Sequence, residues 1–282
     1  MQKERVSDNV YWFQSEVYAQ VTAGAIIGPQ WGVLIDTLMP EETPKIRDFI
    51  ENELMIPVRY VINTHHHADH SWGNCIFPSA TIIGHELCRE FMLNKSQSAM
   101  AEAGKDDSFF RNLCIKEPQI TIAEGSLYLR IGKKQIKVFA TLGHSDDCVS
   151  VLLEDDRILF SGDAFMPIPY FVGGDIDVLI ETITEIGQMG LENIIQGHGD
   201  IVLRGEIEDV TNSHLDYLKS VRKIVKTALR RRNPLDFLAS QRVEESGKPR
   251  VSMGGLAQDL HLRNLQWLYI AELKKIKSES NN

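Results

Sequence analysis

No run in this chain approaches the roughly 18 apolar residues of a membrane span. The opening Met1-Gln2-Lys3-Glu4-Arg5 leads into strand-like sequence with no apolar leader core, so no signal peptide is expected. Cysteine is scarce: Cys75, Cys88, Cys114 and Cys148 are the four present, and none forms a C-x-x-C pair. That excludes a disulfide framework and fits a reduced, cytoplasmic setting. Positive charge is in deficit, with 30 Lys and Arg against 39 Asp and Glu and a net charge of −9. A general nucleic-acid binder carries a basic footprint, so nucleic acid is not an expected partner. There is no G-x-S-x-G elbow, which removes the most recognisable serine-nucleophile arrangement. No short-period repeat and no low-complexity linker divides the chain.

What is present describes an ordinary globular protein, 43% hydrophobic and 24% charged over 282 residues. Short apolar segments punctuated by glycine (Val10–Phe13, Gly24–Gly28, Gly32–Asp36) predict a β meander. Thr43-Pro44 reads as a helix start, with Thr43 as cap and Pro44 in the first turn. A strand from Val58 to Ile62 follows. Another is expected at Thr81–Ile83, then a helix over Glu86–Leu93. The stretch to Leu113 holds Met100, Phe109 and Phe110 among small and polar residues, so 86–113 reads as a flap or helical insert.

Strands resume at 127–129, 136–139, 149–153 and 158–160, a helix at 177–189, and a strand at 193–196. From Glu206 the pattern is helical, broken near Ser246-Gly247-Lys248-Pro249, with a last helix over Leu256–Ile276 and a frayed tail at 278–282. Arg222, Lys223, Lys226, Arg230, Arg231 and Arg232 cluster opposite an apolar face, as on a solvated helix. Alternating strands and helices in two stretches point to an α/β, layered αββα architecture. The expected division is a core over 1–205 and a helical C-terminal extension over 206–282.

The densest chemical signal is Thr64-His65-His66-His67-Ala68-Asp69-His70, just after the Val58–Ile62 strand. Imidazole and carboxylate suit zinc and its borderline neighbours. His144, Asp163 and His198 each follow a later strand beside glycine or another small residue. A lone histidine there is weak evidence, but several such loops in one chain are not, because loops at strand ends are where sites gather.

These residues together resemble the metallo-β-lactamase-fold hydrolases. The family's H-x-H-x-D-H motif stands here as His65-His66-His67-Ala68-Asp69-His70, and the later His, Asp and His match His144, Asp163 and His198. Leu34-Ile35-Asp36-Thr37 is similar to the family's strand ending in Asp, and the resemblance spans roughly Val10 to Val202. It implies a four-layer αββα sandwich. It implies one metal held by His65, His67 and His144, a second held by Asp69, His70 and His198, and Asp163 bridging both. His66 stands at a variable position and is expected to point away. Two divalent ions are implied, zinc first, with manganese or iron also compatible; a variant holding one iron uses only the counterparts of His65, His144 and Asp163.

In such a site two cations about 3.5–4 Å apart hold a bridging water and lower its pKa toward neutrality. Asp69 would orient the resulting hydroxide, and Thr64, Ser71, Asp146, Asp147 and Asp36 are candidates to orient the ligands. Asp163 argues against β-lactamase activity, because β-lactamases with this motif lack the bridging Asp. Met166 stands where lactonases of the family carry Tyr. Asp69-His70-Ser71-Trp72-Gly73-Asn74 resembles glyoxalase II, without a convincing glutathione signature in the tail.

Trp72, Phe165, Met166, Ile168, Tyr170 and Phe171 are candidates for an apolar substrate wall or a face buried against a second copy, so a homodimer is one expectation. The reading is a metallohydrolase of a small, partly apolar substrate with an ester, thioester, lactone or similar bond. The alternatives are an iron-dependent oxidoreductase such as a persulfide dioxygenase, and a non-catalytic metal-binding or regulatory protein.

Overall fold

Apolar residues alternating at period two build two sheets that share one buried face. The computed structural model describes residues 1–280. Its first half runs β1 (Gln2–Ser7), β2 (Val10–Gln14), β3 (Thr22–Ile27), β4 (Gly32–Ile35), α1 (Thr43–Arg47), β5 (Val58–Ile62), α2 (Ala68–Ser71) and β6 (Thr81–His85). The insert α3 (Glu86–Phe91), α4 (Gln97–Asp106) and α5 (Ser108–Arg111) precedes β7 (Ile120–Ile122). The second half runs β8 (Ser126–Ile131), β9 (Lys134–Ala140), β10 (Val149–Leu153), β11 (Ile158–Gly162), α6 (Ile176–Gln188), β12 (Asn193–Gln196) and β13 (Val202–Leu203). The chain ends in α7 (Ile207–Ala228), α8 (Pro234–Ala239) and α9 (Ala257–Ser280).

The first sheet holds β1 to β7 in sequence order, antiparallel through β4 and parallel from β4 to β7. The second has the order β13-β12-β11-β10-β9-β8, with β11 and β12 parallel and the other pairs antiparallel. Val33 and Ile35 of β4 meet Val149, Val151 and Leu153 of β10 in the core between the sheets. Leu34 of β4 faces the other way, onto Ile46, Phe49 and Ile50 around α1. The outer face of the second sheet is covered by α6, α7 and α9. Helix, sheet, sheet and helix therefore stack as four layers. The sheets approach closely at Gly24, where a Cβ would lie 2.0 Å from the Phe160 ring.

Local details depart from the sequence expectations for physical reasons. Glu42, not Thr43, occupies the cap position of α1; the Thr43 hydroxyl donates to the carbonyls of Thr37 (2.8 Å) and Met39 (3.1 Å) instead. α3 stops at Phe91 and continues as a wide π turn over Met92–Ser96. The last helix extends to Ser280, so Ser278 and Glu279 are helical; Asn281 and Asn282 lie outside the described residues. Among the described residues no helix is long and apolar enough to cross a membrane. The basic residues of α7 line a shallow surface groove, and Arg222 pairs with Asp177 of α6.

The stretch between α8 and α9 carries a buried lysine. Lys248 Nζ donates to Ser213 Oγ (3.0 Å) and to His214 Nδ1 (2.7 Å). Burial pulls its pKa from 10.5 down to about 8. Between those values the unfolded chain binds more protons than the folded one, so this group makes stability rise with pH through that window. Lys248→Met is expected to abolish the alkaline rise and to stabilise the fold at neutral pH by about 1 kcal/mol, the relieved desolvation being offset by two lost hydrogen bonds. Urea unfolding of both proteins at neutral and alkaline pH checks this.

Candidate metal centre

Five strand ends converge on one edge of the sandwich. Asp36 follows β4, the histidine run follows β5, His144 lies between β9 and β10, Asp163 follows β11, and His198 follows β12. Parallel pairing of β4 with β5 and of β11 with β12 puts their C-terminal loops on the same side. The sheets are also joined there: Thr22 donates its N–H to the Gly197 carbonyl (2.8 Å) and its hydroxyl to the Gln196 carbonyl (2.5 Å).

Two groups of donor atoms result. His65, His67, His144 and Asp163 offer atoms within 4.8 Å of one another, and so do Asp69, His70 and His198. In the first group His65 Nε2 lies 2.8 Å and His144 Nε2 3.2 Å from His67 Nδ1. Asp163 Oδ2 is 3.4 Å from His144 Nε2 and 3.7 Å from His65 Nε2. Asp163 turns its other oxygen, Oδ1, to the second group, 3.4 Å from His70 Nε2 and 3.5 Å from His198 Nε2. Asp69 Oδ2 lies 3.5 Å from His198 Nε2. One carboxylate thus faces both groups through different oxygens.

The outer nitrogens are held by acceptors. His70 Nδ1 donates to Asp36 Oδ2 (2.8 Å), His144 Nδ1 to the Tyr170 carbonyl (2.7 Å), and His198 Nδ1 to the Ala19 carbonyl (2.9 Å). Thr64 Oγ1 donates to Asp36 Oδ2 (2.7 Å) and lies 3.1 Å from His65 Nδ1, which can donate to it. With the proton on the outer nitrogen, each inner nitrogen keeps its lone pair. His70 Nε2 and Asp163 Oδ1 are buried without a hydrogen-bond partner. Two buried lone pairs left without a partner are costly, and one divalent ion would accept both. The residues fit such an ion.

Electrostatics divides the groups. Burial, reinforced by neighbouring imidazoles, pushes His65 and His67 well below the usual histidine range, and burial also lowers His144. Burial opposes charge on His70 and His198 too, but the carboxylates of Asp163 and Asp69 outweigh it and raise both. Burial acts against the Asp163 carboxylate, yet His198, His70 and His144 hold it well below the usual range.

Among the orienting candidates, Asp36 and Thr64 touch ligands directly. Asp147 instead accepts the His66 N–H (2.8 Å) and lies 3.0 Å from its Nδ1, while the His66 ring packs on Phe91 at 4.9 Å. Ser71 Oγ donates to the His67 carbonyl (2.9 Å), and Asp146 is exposed. Gly197 is pressed against the bridging carboxylate: a Cβ there would lie 1.9 Å from Asp163 Oδ1. Gly197→Ala is therefore expected to displace Asp163 and to lower retained metal after dialysis at least tenfold while leaving the circular dichroism near that of the wild type.

The apolar candidates divide differently. Phe165, Met166, Ile168 and Phe171 are fully buried in the core beneath α6, α7 and α9, so the chain's own helices cover this stripe. Tyr170 is half-buried with its ring 5.9 Å from that of His144. Trp72 is buried and meets Phe110 of the insert edge-on at 5.9 Å. Sequence reasoning did not single out Tyr18, whose phenol lies within electrostatic reach of Asp69, His70, Asp163 and Arg263, and whose pKa burial raises. Nor could it find the Ala19 and Tyr170 carbonyls, because a backbone acceptor leaves no residue-type signal.

Known proteins are similar to this chain in sequence and fold. A curated relative, the lactamase-like protein nscB of Trichophyton rubrum, is 24% identical over 181 residues; the match covers 63% of this chain and only 49% of that protein, so the chain spans about half the relative's length. The mitochondrial persulfide dioxygenase ETHE1 of Homo sapiens is 28% identical over 134 residues, covering 48% of this chain and 43% of that protein. A solved metallo-beta-lactamase from Pontibacter korlensis superposes with a TM-score of 0.63 at 21% identity, covering 76% of this chain and 98% of that one. The sequence profile of the metallo-beta-lactamase superfamily matches residues 19–228, and this chain belongs to that superfamily.

Proposed function

We propose that the protein is a dinuclear metallohydrolase acting on a small, partly apolar substrate with an ester, thioester, lactone or similar bond. The observation that supports it most is Asp163, which offers Oδ2 to His65 and His144 and Oδ1 to His70 and His198. His65, His67 and His144 would hold one ion, and Asp69, His70 and His198 the other. Two divalent ions, zinc by donor type, would supply an activated water and polarise the substrate's carbonyl oxygen. The chain's own groups do the rest. Asp69, half-buried beside His198, would hold the proton of an attacking water. Asp36 and the carbonyls of Tyr170 and Ala19 keep the imidazoles in the ligating tautomer. Tyr18 offers a phenol donor at the mouth, and Trp72 and Tyr170 contribute apolar surface.

Protein stripped and reloaded with zinc, manganese or iron is assayed against ester, thioester, lactone and phosphodiester substrates, with bound metal counted. The expected result is two metals per chain and hydrolysis of an ester-type bond. The resemblance to a persulfide dioxygenase keeps a second reading: stoichiometric iron with oxygen consumption would replace the hydrolase. If Asp69→Ala changed no activity anywhere in the panel, a non-catalytic role would stand instead.

A further inference from the structure

Cys88 and Cys148 are buried, and burial pushes both thiols well up, which keeps them unreactive. Cys75 and Cys114 are placed differently. Cys75 is half-buried in the tight turn Trp72–Ile76 that directly follows the metal-binding loop. Cys114 is exposed, in the irregular stretch leading from α5 to β7. The chain holds these two stretches together on both sides of Cys75. Asn74 Nδ2 donates to the Lys116 carbonyl at 2.8 Å, and Lys116 Nζ donates to the carbonyls of Phe77 at 2.7 Å and Ala80 at 2.6 Å. These fastenings bring the Cys75 and Cys114 segments side by side, each cysteine within electrostatic reach of the other and of the Lys116 ammonium.

The helical insert lies in the chain between the two cysteines and leans on the metal-binding loop at separate points. Phe110 meets Trp72, Phe91 meets His66 at 4.9 Å, and Ser96 Oγ donates to the His66 carbonyl at 3.4 Å. These are ring contacts and one long hydrogen bond, and no covalent link joins the insert to the loop.

We propose that Cys75 and Cys114 form an oxidisable dithiol, and that its closure to a disulfide fastens the helical insert to the metal-binding loop. The oxidant class is a hydroperoxide. The exposed Cys114 sulfur attacks the O–O bond, giving a sulfenic acid and the alcohol of the hydroperoxide (water when the oxidant is hydrogen peroxide); the Cys75 sulfur then displaces the sulfenic hydroxyl as water, and the S–S bond forms. The two thiols lose two electrons and two protons, and the peroxide takes up both. A low-molecular-weight disulfide gives the same product by exchange, releasing two thiols. The proposal is independent of what the metal centre hydrolyses.

The test uses the full chain treated with hydrogen peroxide or with glutathione disulfide, digested without reduction and read by mass spectrometry. A peptide pair joining Cys75 to Cys114, lighter by two hydrogens and separated by dithiothreitol, is the expected product. Cys114→Ser should remove it while leaving Cys75, Cys88 and Cys148 as thiols. Amide exchange across 97–111 should slow at least severalfold in the oxidised protein. Separate sulfinic acids or glutathione adducts with no cross-link, or a Cys114–Cys114 bond between two chains, would overturn the assignment. A cross-link with unchanged exchange would overturn the fastening.

Discussion

Replacing Asp163 with asparagine is expected to reduce kcat/KM at least about a thousandfold, about 4 kcal/mol of transition-state stabilisation. Both carboxylate oxygens of Asp163 face imidazole nitrogens, Oδ2 toward His65 and His144 and Oδ1 toward His70 and His198. An amide has one acceptor oxygen, so one of the two donor groups would face an N–H₂ that repels both a cation and a protonated ring. The charge matters as much as the shape. Asp163 is the carboxylate common to both groups, and it is held ionised against burial by the surrounding histidines. Metal analysis after dialysis should show at least one ion lost per chain, and steady-state kinetics should show the loss mainly in kcat. Retention of both metals with full activity would remove the bridging role.

Asp36→Asn should lower metal affinity about 10–100-fold, although Asp36 lies behind the donors rather than among them. Its carboxylate accepts the Thr64 N–H (2.8 Å), the Thr64 hydroxyl (2.7 Å) and His70 Nδ1 (2.8 Å). Asparagine would still accept the amide N–H through its oxygen, but its Nδ2 would confront two donors. The least costly response is for His70 to move its proton to Nε2, the nitrogen that faces Asp163, and a protonated nitrogen cannot ligate. The backbone should tolerate the change, because Asp36 sits at φ 55° and asparagine adopts left-handed geometry as readily as aspartate. Burial raises the Asp36 pKa, so removing the charge relieves a desolvation cost that offsets the lost hydrogen bonds, and the metal-free fold should stay close to the wild type in stability. Chelator competition and thermal unfolding of the metal-free protein separate the two effects. Unchanged affinity would show that the ring is oriented by other contacts.

The seven candidate donors are legible because imidazoles and carboxylates recurring after apolar strands have few other uses, and the layered architecture follows from two stretches of alternating strands and helices. What lay beyond reach depends on distant segments. Asp36 could not be ranked above Asp147 because its partners lie 28 and 34 residues away. The stretch from Phe165 to Phe171 read as a substrate wall because it adjoins Asp163. It is covered by α9, where Asn264 Nδ2 donates to the Pro169 carbonyl at 2.8 Å and Asn264 Oδ1 accepts the Phe171 N–H at 3.1 Å. Tyr18 is remote from every motif in sequence and comes within electrostatic reach of Asp69 and Asp163 from the β2–β3 turn, where Ala19 and Gln20 are both at positive φ.

The order of elements also says how such a centre arises from one plan used twice. An antiparallel meander β1–β4, a helix α1 and a parallel strand β5 are matched by the meander β8–β11, the helix α6 and the parallel strand β12. In both halves an aspartate is the first residue past the meander, Asp36 after β4 and Asp163 after β11, and a histidine follows the parallel strand, His65 after β5 and His198 after β12. The two aspartates therefore hold corresponding places in the two halves and differ in what they touch. Asp36 stands behind the donor atoms against His70 Nδ1, and Asp163 stands between the two groups, so each half supplies a different part of the site.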